Sequence, residues 1–388
     1  MQNSHKTGTP HGLWATILAH WALVVLLLLT AASFLLKALP LLQYPRVGGD
    51  PFVHYQYSMA LLNGKLNVPV NETGSSGTME LYYPPLFHAV SLGFFLALPT
   101  VDPFTIMKLL ASAFDALQII PIYLVVKRVS GSDTGGLLAS YALVAARNDY
   151  QMLSWGGYAN IAGLLLAASL VYVVITERLV LSAVFSAALG LTHHLSTLFM
   201  IAVLVPYFAL FLLMKKRVPK CFVGVIAGGA VAYVSFYSFA WQNMLYYYSN
   251  FSPNGIQGII YSQSQYVTPY IYAQVGSLLL LSAAIGLAFL YAHGRRKFFL
   301  GKELLLIWAI VPILLSYAYL LGVEWHGVRW IAFIPEPLAV WVGVALGMLD
   351  QRKLVIIAFV SLATIQLVLT IVGYHSDILS NVFPTLTS

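Results

Sequence analysis

The sequence predicts an all-α, polytopic transmembrane helix bundle of about 11 spans, and three observations carry that prediction. The 388-residue chain is 60% hydrophobic and only 9% charged, where soluble proteins carry about 25% charged residues. Apolar stretches of spanning length recur along its whole length. Its Lys and Arg residues gather on alternate connections between those stretches. So few charges cannot cover a water-soluble surface, which excludes the soluble and disordered classes. The single cysteine, Cys221, excludes a disulfide framework and a Cys-based metal site. In such a chain the net charge of +7 speaks to sidedness, not to nucleic acid.

Spans are expected at 13–37, 104–126, 159–176, 195–214, 221–241, 273–292, 303–322, 328–349 and 353–373, with shorter ones at 134–147 and 179–193. The segment 84–99 is only 16 residues long, opens with Pro84-Pro85 and closes at Pro99. It either lies in the interface or re-enters. With the other eleven segments spanning, Lys6, Lys127, Arg128, Arg178, Lys215, Lys216, Arg217, Lys220, Arg295, Arg296, Lys297, Lys302, Arg352 and Lys353 face the cytoplasm, 14 of the 20 Lys and Arg. Counting 84–99 as a span destroys that bias. The expected orientation is N-terminus cytoplasmic and C-terminus exoplasmic, in a prokaryotic plasma membrane or, in a eukaryote, the ER. Residues 1–388 read as one integral membrane domain, with a long first exoplasmic loop at 38–103 and an aromatic one at 242–272.

Unusual polar residues collect on the exoplasmic side. Gly48-Gly49-Asp50-Pro51-Phe52-Val53-His54-Tyr55 opens the first loop. Pro51 suits a helix start, with Asp50 either its N-cap or a functional carboxylate. The stretch from Val53 to Gly64 suits an interfacial helix. Tyr82-Tyr83-Pro84-Pro85-Leu86-Phe87-His88 reads as an interfacial anchor or a ligand-facing motif. In Arg147-Asn148-Asp149-Tyr150, Asp149 either pairs with Arg147 or serves as a ligand. Trp155 and Asn160 follow it. His193 and His194 sit where two spans meet, about 100° apart around a helix, so at least one of them is expected to pack. Glu324, His326 and Arg329 stand at the exoplasmic start of the tenth span, and Arg329 either meets phosphate through its bidentate fork or snorkels from the helix end. Glu336 lies further into that span, where carboxylates are functional by default. Lys108 and Asp115 read as a structural polar pair.

These segments, in this order, resemble the GT-C superfamily of membrane glycosyltransferases. Asp50-Pro51-Phe52-Val53-His54-Tyr55 is similar to the Asp-Pro-Trp-x-His-Tyr signature in the first external loop of oligosaccharyltransferase catalytic subunits. Tyr83-Pro84-Pro85-Leu86 is similar to a motif that follows the interfacial helices of that loop. The stretch from Phe104 to Asn160 follows the same pattern of two spans and an external acidic loop, and Arg329 resembles the arginine aimed at the lipid-linked phosphate. The resemblance covers roughly the first 200 residues well. The chain has neither a Trp-Trp-Asp acceptor motif nor a soluble C-terminal domain, and Tyr158-Ala159-Asn160 stands where paired carboxylates are expected. Asparagine-linked transfer and strict metal dependence therefore do not follow, and a smaller GT-C-like protein of archaea or bacteria fits better.

The resemblance implies a polyprenyl-phosphate sugar donor drawn from the lipid bilayer, an unknown glycan, lipid or protein acceptor, and inverting transfer. Asp50 would be the base. Asp149, His193 and His194 would complete the catalytic set. Arg329, His326 and Tyr83 would hold the donor phosphate. His54, Tyr55, Trp155, Asn160 and Glu324 would meet the substrates. A divalent cation, Mg or Mn, would sit on Asp50 and Asp149. Two other readings stay open: a flippase or transporter of lipid-linked sugars, and a non-catalytic lipid-binding scaffold.

Overall fold

The computed structural model describes residues 20–64, 67–70, 79–241, 301–318, 327–348 and 353–382, with the backbone alone at 67–70, 79–82 and 327–328. The bundle is all-α. Helices run in the order α1 (Trp21–Leu42), α2 (Asp50–Leu62), α3 (Leu86–Ala97), α4 (Pro103–Leu117), α5 (Ile119–Ser130), α6 (Asp133–Val144), α7 (Arg147–Trp155), α8 (Tyr158–Ile175), α9 (Leu179–Thr192), α10 (His194–Lys215) and α11 (Lys220–Ala232). After a π-helical turn at Tyr233–Tyr237 come α12 (Lys302–Ser316), α13 (Gly327–Ile331), α14 (Pro335–Met348) and α15 (Lys353–Val382). Between α2 and α3 the first loop adds an antiparallel hairpin, β1 (Asn67–Val70) paired with β2 (Met79–Tyr82), Asn67 opposite Tyr82. Among the described residues, 7 helical stretches are long and apolar enough to cross a membrane. The expected span 273–292 and the 242–272 loop lie outside the described residues.

Local chemistry sets the element ends. Asp102 caps α4, its carboxylate accepting the Thr105 backbone N–H at 2.9 Å, and Pro103 takes a first-turn position where no N–H is needed. Pro121 has no N–H to offer Leu117, and the long span Pro103–Ser130 breaks at Gln118 into α4 and α5. Ser132 caps α6 through the Gly135 N–H at 3.0 Å. The tenth expected span is interrupted at residues 332–334, because Pro335 and Pro337 start a new helix rather than continue α13.

Helix α8 and the stretch Arg329–Met348 are predominantly apolar and lie at the centre, with 78% and 89% of their apolar windows buried. Helix α15 is 17% buried and turns Leu354, Leu362, Leu369 and Val372 outward, as a lipid-facing helix does. Chain direction alternates, so one face of the bundle gathers the first loop, α7, the α9–α10 joint, α13 and the end of α15. The opposite face carries the Lys127–Asp133 and Glu177–Arg217 ion pairs, each 2.7 Å.

Three expectations need correction. Helix α1 continues to Leu42 instead of ending at 37, which puts Lys37 inside the bundle at 1% exposure. Helix α15 continues past 373 to Val382, latched by the Arg147–Asp377 ion pair at 3.1 Å. Lys108 and Asp115 are not a pair: residues seven apart on a helix stand roughly 10 Å apart along its axis. Lys108 Nζ instead donates to the carbonyls of Leu41, Tyr44 and Pro45 at 3.3, 2.7 and 3.2 Å, closing the end of α1. Asp115 pairs with Lys37.

Candidate functional site

The first loop and the α7–α8 turn are locked together by glycines. Gly48 has φ +79 and its α-carbon lies against the Trp155 backbone, where a side chain would overlap the Trp155 carbonyl. Gly156 has φ +95 and lies equally close to the Pro51 ring. Both positions combine left-handed backbone with no room for Cβ. Gly48→Ala is therefore expected to destabilise the protein by roughly 1–3 kcal/mol and to depress any activity that depends on Asp50. Thermal unfolding beside turnover checks this.

Asp50 begins α2, but the N-cap is Gly49, and among the described residues its carboxylate takes no hydrogen bond. The capping alternative is thereby excluded. Asp50 remains solvent-accessible. Burial raises its carboxyl above the usual range, and the Arg329 guanidinium opposes that rise. Arg329, on α13, is exposed. Its charge reaches Asp50, His193 and His194. Asp50 and Arg329 make no ion pair among the described residues, so each can meet a ligand.

Tyr83 is the hub of the site. Its ring centroid lies 5.7 Å from His54, 5.2 Å from His88, 6.0 Å from His193 and 5.3 Å from His194. His54 Nδ1 lies 3.0 Å from His88 Nε2, and His88 Nδ1 lies 3.2 Å from the Pro84 carbonyl. Burial lowers His54 to about 4. Tyr158 stacks on His54 at 6.3 Å and feels the charge of Asp50. Sequence reading missed His88 as a site residue. The signal available was a histidine in an otherwise apolar 16-residue stretch.

Other expected site residues fall elsewhere. Tyr55 packs on Phe95 and Phe104, at 6.1 and 5.5 Å between centroids, away from the histidines. Trp155 supports the first loop through its backbone and packs its ring over Gly157. Asn160 lies 3.1 Å from the Ser196 hydroxyl, behind His193. Glu324 and His326 lie outside the described residues.

Asp149 lies deeper, in a second polar cluster. Arg147 pairs with Asp377 and not with Asp149. The neighbours of Asp149 are Asp115, Lys37 and Glu336. Lys37 and Asp115 form a fully buried ion pair, and Lys37 Nζ also sits 4.8 Å over the Tyr150 ring. Gln118 Nε2 donates to Asp115 Oδ1 at 3.1 Å. Both Asp149 oxygens and Glu336 Oε1 are buried without a hydrogen-bond partner among the described residues. Burial pushes the Asp149 carboxyl well above the usual range.

The described residues do not fit a divalent cation. Asp50 has Arg329 as its charged neighbour, Asp149 has Lys37, and no three His, Cys, Asp or Glu side chains among them converge as ligands.

The fold is similar to that of an archaeal oligosaccharyltransferase and of ArnT, in line with the fold that the resemblance to GT-C glycosyltransferases implied. Among solved structures, the chain is similar to the oligosaccharyltransferase AglB of Archaeoglobus fulgidus in complex with an inhibitory peptide and a dolichol-phosphate. The TM-score is 0.61 and the identity 13%, over 92% of this chain and 56% of that one. A structure of the Archaeoglobus fulgidus oligosaccharyltransferase with Zn and sulfate gives TM-score 0.55 and 15% identity, over 91% and 52%. ArnT from Cupriavidus metallidurans in the apo state gives 0.53 and 16%, over 86% and 60%. The chain thus spans little more than half the length of the archaeal proteins it resembles. No family model and no curated protein matches the sequence.

Proposed function

We propose that this chain is an inverting membrane glycosyltransferase that takes a sugar from a polyprenyl phosphate at the exoplasmic face. The observation that carries this reading is the nearness of a carboxylate, Asp50, and a guanidinium, Arg329, beside the same histidines, neither with a hydrogen-bond or ion-pair partner among the described residues. Asp50 takes the proton of the acceptor hydroxyl. The hydroxyl oxygen bonds to the anomeric carbon from the side opposite the phosphate, and the bond from that carbon to the phosphate oxygen breaks. Phosphate is a good leaving group, so the main requirement is positive charge where it departs, which Arg329 supplies. The archaeal structure that includes a dolichol-phosphate supports a lipid-linked phosphate as ligand.

The test is release of free polyprenyl phosphate from a panel of polyprenyl-phosphate sugars, wild type beside Asp50→Asn. Asp50-dependent release from one sugar supports the reading and names the donor. Arg329→Ala is expected to raise the donor KM at least tenfold, with a smaller change in the acceptor KM, because a lost charge-assisted contact costs about 1.5–3 kcal/mol. Steady-state kinetics with each substrate varied in turn check this, and an unchanged donor KM counts against the assignment. A non-catalytic lipid-binding scaffold is the second reading, favoured by Tyr158-Ala159-Asn160 standing where paired carboxylates are expected. Donor binding without turnover decides for it.

A further inference from the structure

His193 closes α9 and caps α10 with its own ring. The Ser196 backbone N–H donates to His193 Nδ1 at 3.2 Å, and Ser196 Oγ lies 2.8 Å from the same nitrogen. Behind them, Ser196 Oγ donates to Asn160 Oδ1 at 3.1 Å, and Asn160 Nδ2 donates to Met152 Sδ at 3.2 Å. His193, Ser196 and Asn160 are all at least nine-tenths buried.

The direction of this chain of hydrogen bonds decides what His193 can do. A hydroxyl rotates freely, and an amide exchanges its O and N ends by a half-turn. A backbone N–H in the first turn of a helix does neither. The Ser196 N–H therefore fixes Nδ1 as an acceptor. A neutral imidazole with Nδ1 as acceptor carries its proton on Nε2. The remaining partners follow by two rotations: the Ser196 hydroxyl turns from Asn160 Oδ1 towards Nδ1, and the Asn160 amide makes the half-turn that offers its NH2 to that hydroxyl and moves its oxygen to the Met152 side. Donors then run outward from α8 through Ser196 to the Nε2–H of His193. The reverse direction would leave a bare Nε2 facing the site, a base instead of a donor. It would also leave the Ser196 N–H pointed at another N–H.

The surroundings of the ring suit an anion. It sits at the N-terminus of the 22-residue helix α10, where the aligned peptide dipoles leave positive potential. The Tyr83 ring lies 6.0 Å from it between centroids, and the Arg329 charge reaches it.

We propose that Asn160 and Ser196 are positioning residues that hold His193 as a fixed Nε2–H hydrogen-bond donor to the phosphate of the lipid-linked donor. The ligand, though not the tautomer, rests on the glycosyltransferase reading.

The test uses the full chain in nanodiscs with 15N-labelled histidine. Imidazole 15N shifts separate protonated from bare nitrogens, and His193→Gln identifies the His193 signals. Wild type is expected to show the Nε2–H form, and added polyprenyl phosphate is expected to shift its Nε2 signal. Asn160→Asp is the decisive variant: a carboxylate only accepts, so it draws the Ser196 hydroxyl inward and turns His193 towards the Nδ1–H form. Its kcat is expected to fall about 10²-fold, the usual cost of one misplaced donor to a charged transition state. Should that variant not fold, Asn160→Ala releases the hydroxyl and is expected to lower the Nε2–H population. A wild-type Nδ1–H form overturns the proposal, as does a tautomer unmoved by every Asn160 variant. An Nε2–H form whose signals ignore polyprenyl phosphate overturns the phosphate assignment. None of these outcomes touches the glycosyltransferase reading, which stands or falls on Asp50-dependent release of polyprenyl phosphate.

Discussion

Asp50→Asn is expected to lower transfer by about 10²–10⁴-fold, the contribution of a positioned general base, while the protein stays folded. The pH dependence carries the same signature. Burial raises the Asp50 carboxyl, with Arg329 pulling the other way, and the base works only when ionised. Activity should therefore rise with pH through a limb displaced above the ordinary carboxylate value of about 3.9. That limb should be absent from whatever residual activity the variant keeps. Stability has the opposite sign. A carboxyl whose folded pKa is raised supports folding below its unfolded pKa, and that support is lost as pH rises through the folded value. At neutral pH the wild-type carboxylate is a burden on the fold, so Asp50→Asn should unfold at the same temperature or higher. Turnover near wild type would remove Asp50 from the base role. A lower unfolding temperature would show that the loss is structural.

Asp115→Asn carries the largest expected effect on stability. It leaves Lys37 buried among the described residues with its salt-bridge partner gone. Breaking a buried pair from one side costs about 3–5 kcal/mol, since the remaining charge is left uncompensated. The double replacement Lys37→Met with Asp115→Leu removes both charges and should recover much of that loss. Thermal unfolding in detergent of the two single variants and the double variant forms the cycle. Equal damage in all three would mean that the pair contributes nothing as a pair.

The bundle was legible because span length and charge bias are written locally. Apolar runs gave α8, α10 and the helical stretch Lys220–Trp241 that α11 opens to within a residue or so. What the sequence could not settle depended on partners far along the chain. Lys37 reads as a charge just outside the first span, and only the arrival of Asp115 from α4 makes an interior position tolerable. Asp149 reads as a candidate ligand beside Asp50, yet its neighbours are Asp115, Lys37 and Glu336. Asp50 itself was ambiguous between cap and base, because Gly49 and Asp50 are both good caps. The proximity of Arg329 and the histidines to the first loop follows from alternating chain direction. The His54–His88 contact follows only from how α2 and α3 pack, which no spacing reveals.

The buried Lys37–Asp115 pair also bears on how the chain enters its membrane. A lone lysine in a spanning segment resists insertion by up to about 3 kcal/mol, and α1 emerges from the ribosome long before Asp115 does. Until then Lys37 is held near the headgroups, and α1 should sit shallow or tilted. Asp115 then draws the lysine inward when the second hydrophobic stretch follows. The ion pair would thus act as a ratchet for insertion, setting the final depth of α1 only once α4 is in place. Truncated nascent chains ending before and after residue 115 should report two different depths for the same first helix.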